Sequence, residues 1–142
     1  RNGVESFPDD EVLVTRLFAD AGYECGLIGK LHLSTATRFE KRPDDGYGWF
    51  QWSHSPTPGE TDKHDAYHHW LKSEKGVDPD ELFGGDLGFI GAGAPEELHQ
   101  TTWCAEMACR FINEKKDVAW LLSVNPYDPH PPFDPPQSYL YR

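Results

Sequence analysis

Tyr23-Glu24-Cys25-Gly26-Leu27-Ile28-Gly29-Lys30-Leu31-His32-Leu33 passes from an apolar run into a polar segment across one glycine, and this passage decides the fold. Tyr23 to Ile28 reads as a short strand that carries Cys25 and Leu27 toward one face. Gly29 lets the backbone turn tightly, and Lys30 and His32, two residues apart in an extended segment, project to the same side. Upstream, Ser6-Phe7-Pro8-Asp9-Asp10-Glu11 places cap-forming and acidic residues ahead of Leu13, Val14, Leu17, Phe18 and Ala21 at helical spacing, and Gly22 is the stop. A strand whose exit carries a cation and an imidazole is the arrangement in which α/β proteins collect ligand groups.

A second unit of the same kind lies about a hundred residues on. Pro95-Glu96-Glu97 suits a helix start, with a first-position proline and early acids that favour the helix dipole. The helix is expected to run to about Lys115, with Leu98, Thr101, Thr102, Ala105, Ala108, Cys109 and Ile112 as its buried stripe. Val118 to Val124 is nearly continuous in apolar residues, the pattern of a strand buried on both faces of a mainly parallel sheet. Pro129-His130-Pro131-Pro132-Phe133 follows, and the flanking prolines leave His130 little backbone freedom to lose on ordering. The order helix, strand, long excursion, helix, strand predicts an α/β fold.

Between the units, from Ser34 to about Ala94, Gly, Pro, Asp and Ser are frequent, and Tyr47, Trp49, Phe50 and Trp52 show no sustained period. So long an irregular stretch means function, disorder or missed elements. A strand near Trp49–Ser53 and one short helix over Asp65 to Lys75, with Ala66, His69 and Trp70 on one side and Gly76 as its end, are the elements expected there. Gly84-Gly85-Asp86-Leu87-Gly88-Phe89-Ile90-Gly91-Ala92-Gly93 lacks the Gly-Lys-Ser/Thr of a nucleotide loop and reads as a flexible connector. His64, His68 and His69 have spacing that can converge on one metal ion from a helix, but no Cys or well-placed carboxylate completes a set. Trp49, Trp52, His54 and Trp70 can pack against a sugar or aryl ring, with core packing as the default role of each.

The chain has 142 residues, 37% hydrophobic and 13% aromatic, with no apolar run near the ~20 needed to span a bilayer. Its net charge of −11, with only 13 scattered Lys and Arg, argues against nucleic acid, which requires clustered cations. Capture of an anion then rests on local groups and not on steering by the whole surface. Three cysteines leave one unpaired, and Cys104 and Cys109, five apart, point to different faces of a helix; buried free thiols are expected.

Asp20-Ala21-Gly22-Tyr23-Glu24-Cys25-Gly26-Leu27-Ile28-Gly29-Lys30-Leu31-His32-Leu33 resembles the DAGY-x-T-G-x-x-GKWHLG stretch of the type I sulfatases, in the alkaline phosphatase superfamily. Trp120-Leu121-Leu122-Ser123-Val124-Asn125-Pro126-Tyr127-Asp128-Pro129-His130-Pro131-Pro132-Phe133 is similar to that family's apolar strand ending in PHxPF. The resemblance covers about Phe7 to Ser34 and Glu97 to Tyr139, in the family's order; Leu31 stands where the family has Trp and Ser34 where it has Gly.

The resemblance implies part of an alkaline-phosphatase-like, mainly parallel sheet flanked by helices, incomplete in this chain. Residues 1–142 would be an internal fragment of a sulfatase catalytic domain: a helix, strand and GKxH loop over 7–34, an irregular excursion over 35–94, and a helix, strand and PHxP loop over 95–142. It implies a sulfuric ester hydrolase acting on a sulfated small molecule or glycan. Lys30 would contact sulfate and the nucleophile, His32 would serve as a base, and His130 would bind sulfate and protonate the leaving oxygen.

The family's formylglycine nucleophile is implied outside this chain, because Cys25, Cys104 and Cys109 do not stand in a C/S-x-P/A-x-R motif and Arg1-Asn2-Gly3-Val4 looks like the residues that come just after it. The ligands of its divalent cation, calcium by resemblance, are implied outside as well, since Asp9-Asp10 and Asp44-Asp45 lie in the wrong context. The fragment alone is expected to be inactive and to self-associate through exposed sheet edges. A periplasmic, secreted or lysosomal parent is implied by the family. A phosphoester or phosphonate hydrolase of the same superfamily, and a non-catalytic anion- or glycan-binding module, are the alternatives.

Overall fold

The structure is a computed structural model that describes residues 8, 10–33, 44–59, 62–85 and 88–140. Its elements run α1 (Val14–Asp20), β1 (Glu24–Gly29), β2 (Trp49–Trp52), α2 (Ala66–Trp70), α3 (Pro79–Phe83), α4 (Gln100–Lys115) and β3 (Trp120–Asn125). The three strands form an all-parallel sheet in the order β2–β1–β3, a mixed α/β arrangement with helices against the sheet. The chain leaves the central strand for β2 on one side, then returns through α2, α3 and α4 to β3 on the other. All three strands therefore end at the same edge of the sheet.

Gly26, Trp49 and Leu122 occupy one row of the register. A Cβ on Gly26 would lie 2.6 Å from the Phe111 ring of α4, so only glycine lets the helix lie this close to the central strand. Trp49 and Trp120 flank Phe111 edge-on, with centroids at 5.4 and 6.0 Å. Above this row Ile28, Tyr67, Trp70, Leu71, Phe83, Ala94, Trp103, Cys104 and Met107 form the core.

The buried stripe of α4 differs from the expected one. Gln100, Trp103, Cys104, Met107 and Phe111 are buried, whereas Thr101, Ala105, Cys109 and Ile112 are exposed. Leu98 belongs to a preceding 3₁₀ turn (Glu96–Leu98), and α4 starts only after His99, whose ring accepts from the Thr101 amide. Counting from Leu98 thus sets the wrong phase. Burying Trp103, Met107 and Phe111 removes far more apolar area from water than burying Ala and Thr, and this sets the rotation of the helix. Cys109 is exposed as well, so only Cys25 and Cys104 fit the expectation of buried free thiols.

Two further expectations change for related reasons. In α1 the small Thr15 faces inward, its hydroxyl donating to the Asp45 carbonyl and its own carbonyl 3.6 Å from the Cys25 thiol. Leu17, about 200° around the helix, and Val14 are exposed, and the loop at Asp45 lies on the Thr15 side. The β3 strand forms as expected but lies at one side of the described sheet, so Trp120 and Val124 are exposed rather than buried on both faces.

The excursion contains more order than its composition suggests. The β2 strand lies where expected. Asp65 caps α2 by accepting from the Tyr67 and His68 amides, the chain continues as a π-helical turn over Leu71–Lys75, and Gly76 at φ 67° ends it. Tyr67, His68, Trp70 and Leu71 face inward, and His69 faces solvent. A second short helix, α3, is signalled by Asp78 as its cap and Pro79 at its first position. The glycine-rich connector is docked where described: Gly91 and Gly93 donate to Phe133 and Pro135, and Phe133 donates to Phe89. No helix among the described residues is long and apolar enough to cross a membrane.

Candidate oxyanion site

Each strand exit at the shared edge delivers polar side chains. From β1 come Lys30 and His32, from β2 Ser53 and His54, and from β3 Asn125, Tyr127 and His130. Gly29 adopts φ 90°, and a Cβ there would overlap the Asn125 carbonyl oxygen. The backbones of the β1 and β3 exits are therefore in contact, and Lys30 N donates to Asn125 O at 2.8 Å. Asn125 Nδ2 returns a bond to Lys30 O at 3.0 Å. Trp52 Nε1 donates to Leu31 O at 3.3 Å, tying the loop to β2.

The Lys30 ammonium lies 5.0 Å from the centroid of the Tyr127 ring, and His130 packs on the same ring at 4.7 Å. Lys30, His32 and His130, remote in sequence, are thus brought to one edge, and His32 feels the charges of both others. His54 joins them, its ring perpendicular to that of His32 with centroids 5.1 Å apart. Partial burial lowers the Lys30 pKa. Partial burial, then the nearby Lys30 and His130, lowers that of His32. His54 is pushed down to about 4 by burial and by Lys30, His32 and His130. A site of one ammonium and three imidazoles repels further positive charge and offers N–H donors to a compact anion.

His130 Nδ1 is 2.7 Å from the Pro131 carbonyl oxygen. A carbonyl only accepts, so Nδ1 carries the proton and Nε2 is left for a ligand. The loop is held from behind: Thr101 Oγ1 donates to Asp128 at 2.7 Å, and Tyr127 OH donates to Pro131 O at 3.1 Å. Gln100, buried at the start of α4, donates to Ser53 Oγ at 2.8 Å and accepts from Tyr127 N at 2.9 Å. One side chain thereby couples the exits of β2 and β3. The sequence reading missed Gln100 and treated His54 as core or ring-packing; nothing local marks Gln100, whereas His54 directly after an expected strand was a usable signal.

The other singled-out residues lie elsewhere. His68 is buried with Nε2 at 2.8 Å from Pro56 O, and His64 and His69 are exposed. Trp70 and Trp49 pack in or against the core. Among the described residues no group of three or more His, Cys, Asp or Glu is placed to hold a metal ion. Asp9 falls outside the described residues. No protein-family model matches the sequence, and no curated protein is significantly similar to it.

Proposed function

We propose that the cluster at the strand exits binds a tetrahedral oxyanion, and that the chain is part of a sulfate monoester hydrolase with Lys30, His32 and His130 around the sulfate group. The observation that carries this reading is the meeting of the Lys30–His32 loop with His130 across the latched exits of β1 and β3. The two segments that resemble type I sulfatases are the two that meet, and an alkaline-phosphatase-like sheet is the fold this reading extends to. Sulfate ester cleavage needs positive charge at the non-bridging oxygens and a proton for the departing alkoxide. Lys30 supplies a compact charge with three donors. His130, with Nδ1 directed at Pro131 O, presents Nε2 as the proton carrier when the ring is charged. His32, kept neutral, suits a base.

In this reading the ligands of the divalent cation, calcium by resemblance, lie outside this chain. The letters of the formylglycine motif do occur once with serine, at Ser34-Thr35-Ala36-Thr37-Arg38; this stretch lies outside the described residues and follows the Lys30 segment instead of preceding Arg1. The test is turnover of matched aryl sulfate and aryl phosphate esters by the parent protein, with Lys30→Ala and His130→Ala each expected to lower sulfate turnover by ~10²-fold or more. Faster phosphate than sulfate turnover would assign the site to a phosphoester hydrolase, and no turnover of either by the parent would leave an anion-binding module.

A further inference from the structure

We propose that His54 is a fourth donor to the bound oxyanion, closing the site on the flank of β1 opposite His130. This rests on the oxyanion site above and extends it to a residue outside the two sulfatase-like segments. In the sheet order β2–β1–β3, Lys30 leaves the middle strand, His130 follows one neighbour and His54 follows the other. Of the four side chains, Lys30, His32 and His130 come from the exits of β1 and β3, and His54 from that of β2.

The placement of His54 is built. Ser53, buried, is held by its amide to Gly29 O at 3.1 Å and by its hydroxyl to Gln100. The Trp52 ring lies 6.1 Å from that of His54, centroid to centroid, and the His32 ring abuts it edge-on. The charged and titratable groups acting on His54 among the described residues are Lys30 and His32 from the β1 exit and His130 from the β3 exit, all cationic or able to become so. An imidazole in such company stays neutral when the site is empty. An anion reverses the local field, and His54 then gains a proton as the ligand arrives. Binding of a sulfate group is therefore accompanied by proton uptake.

The experiment is titration of the 142-residue chain with sodium sulfate, against sodium chloride at matched ionic strength, while the histidine ring resonances are followed by NMR. Sulfate stays fully ionised across the pH range used, so proton uptake belongs to the protein. The His54, His32 and His130 signals are expected to move together and saturate at one Kd, with the His54 midpoint rising above its value in chloride and His68 unmoved. The Kd is expected to fall as pH is lowered from 6.5 toward 4. His54→Ala is expected to weaken sulfate binding by roughly tenfold. His54→Gln, which keeps an N–H donor but cannot titrate, is expected to bind at neutral pH yet show less of the tightening than the parent, in which His54 titrates as well as His32 and His130. Movement of His32 and His130 with His54 silent would overturn the proposal and leave the oxyanion site standing. Sulfate moving none of the three would overturn both.

Discussion

Lys30 and Asn125 latch the exits of the two neighbouring strands by reciprocal bonds, Lys30 N to Asn125 O at 2.8 Å and Asn125 Nδ2 to Lys30 O at 3.0 Å. The latch is possible only because Gly29 has no Cβ where the Asn125 carbonyl sits. Gly29→Ala would meet both a steric clash and a positive φ. It is expected to destabilise by more than about 1 kcal/mol, read as a lower urea midpoint at unchanged m-value. A variant as stable as the parent would show that the exits are not in contact.

Gln100 carries the same logic one layer deeper. Gln100→Ala removes the acceptor of the Tyr127 amide and the donor to Ser53, leaving buried polar groups without partners. A loss of ~1–3 kcal/mol is expected, together with weaker sulfate binding, because the Tyr127 and His130 loop is no longer tied to β2. Loss of stability with sulfate affinity intact would confine Gln100 to packing.

The helix α4 offers an internal contrast. Phe111 is fully buried between Trp49 and Trp120, and Cys109 is exposed on the opposite side. Phe111→Ala is expected to cost ~3–5 kcal/mol. Cys109→Ala is expected to stay within about 0.5 kcal/mol of the parent. Equal effects in chemical denaturation would mean that the helix is rotated from the described position.

Stability is expected to depend on acid in a direction set by His54. Its pKa is about 4 in the folded chain against an ordinary value of 6.5, so the unfolded chain binds more protons between these values. The His54 contribution is therefore full above pH 6.5 and falls as pH drops toward 4, with His32 adding in the same direction, while the raised carboxyls of Asp65 and Asp134 act in the opposite one. Thermal denaturation across this window should show the decline, and sulfate should reduce it. A profile between pH 6.5 and 4 that His54→Gln leaves unchanged would contradict the burial of His54 among cations.

The outer edges of β2 and β3 pair with no further strand among the described residues, and Val118, Trp120 and Val124 are exposed beside β3. Such edges and apolar side chains favour pairing with a second copy. Light scattering is expected to show mass rising with concentration; a monomer throughout would oppose this.

Much of the geometry at the strand exits was legible in the sequence. The strand ending at Gly29, the glycine turn, the placement of Lys30 and His32 after it, and the proline-bounded His130 follow from alternation and turn chemistry, which act between residues a few positions apart. The Asp78-Pro79 start of α3 was equally local and was overlooked. What local pattern could not supply was the rotation of α1 and α4, which depends on the summed area buried against partners far away in the chain. Nor could it supply the parallel order β2–β1–β3. That order alone sets His54 beside His32 and lets Gln100 join Ser53 to Tyr127, because contacts between distant segments are decided by packing of the whole sheet and its helices.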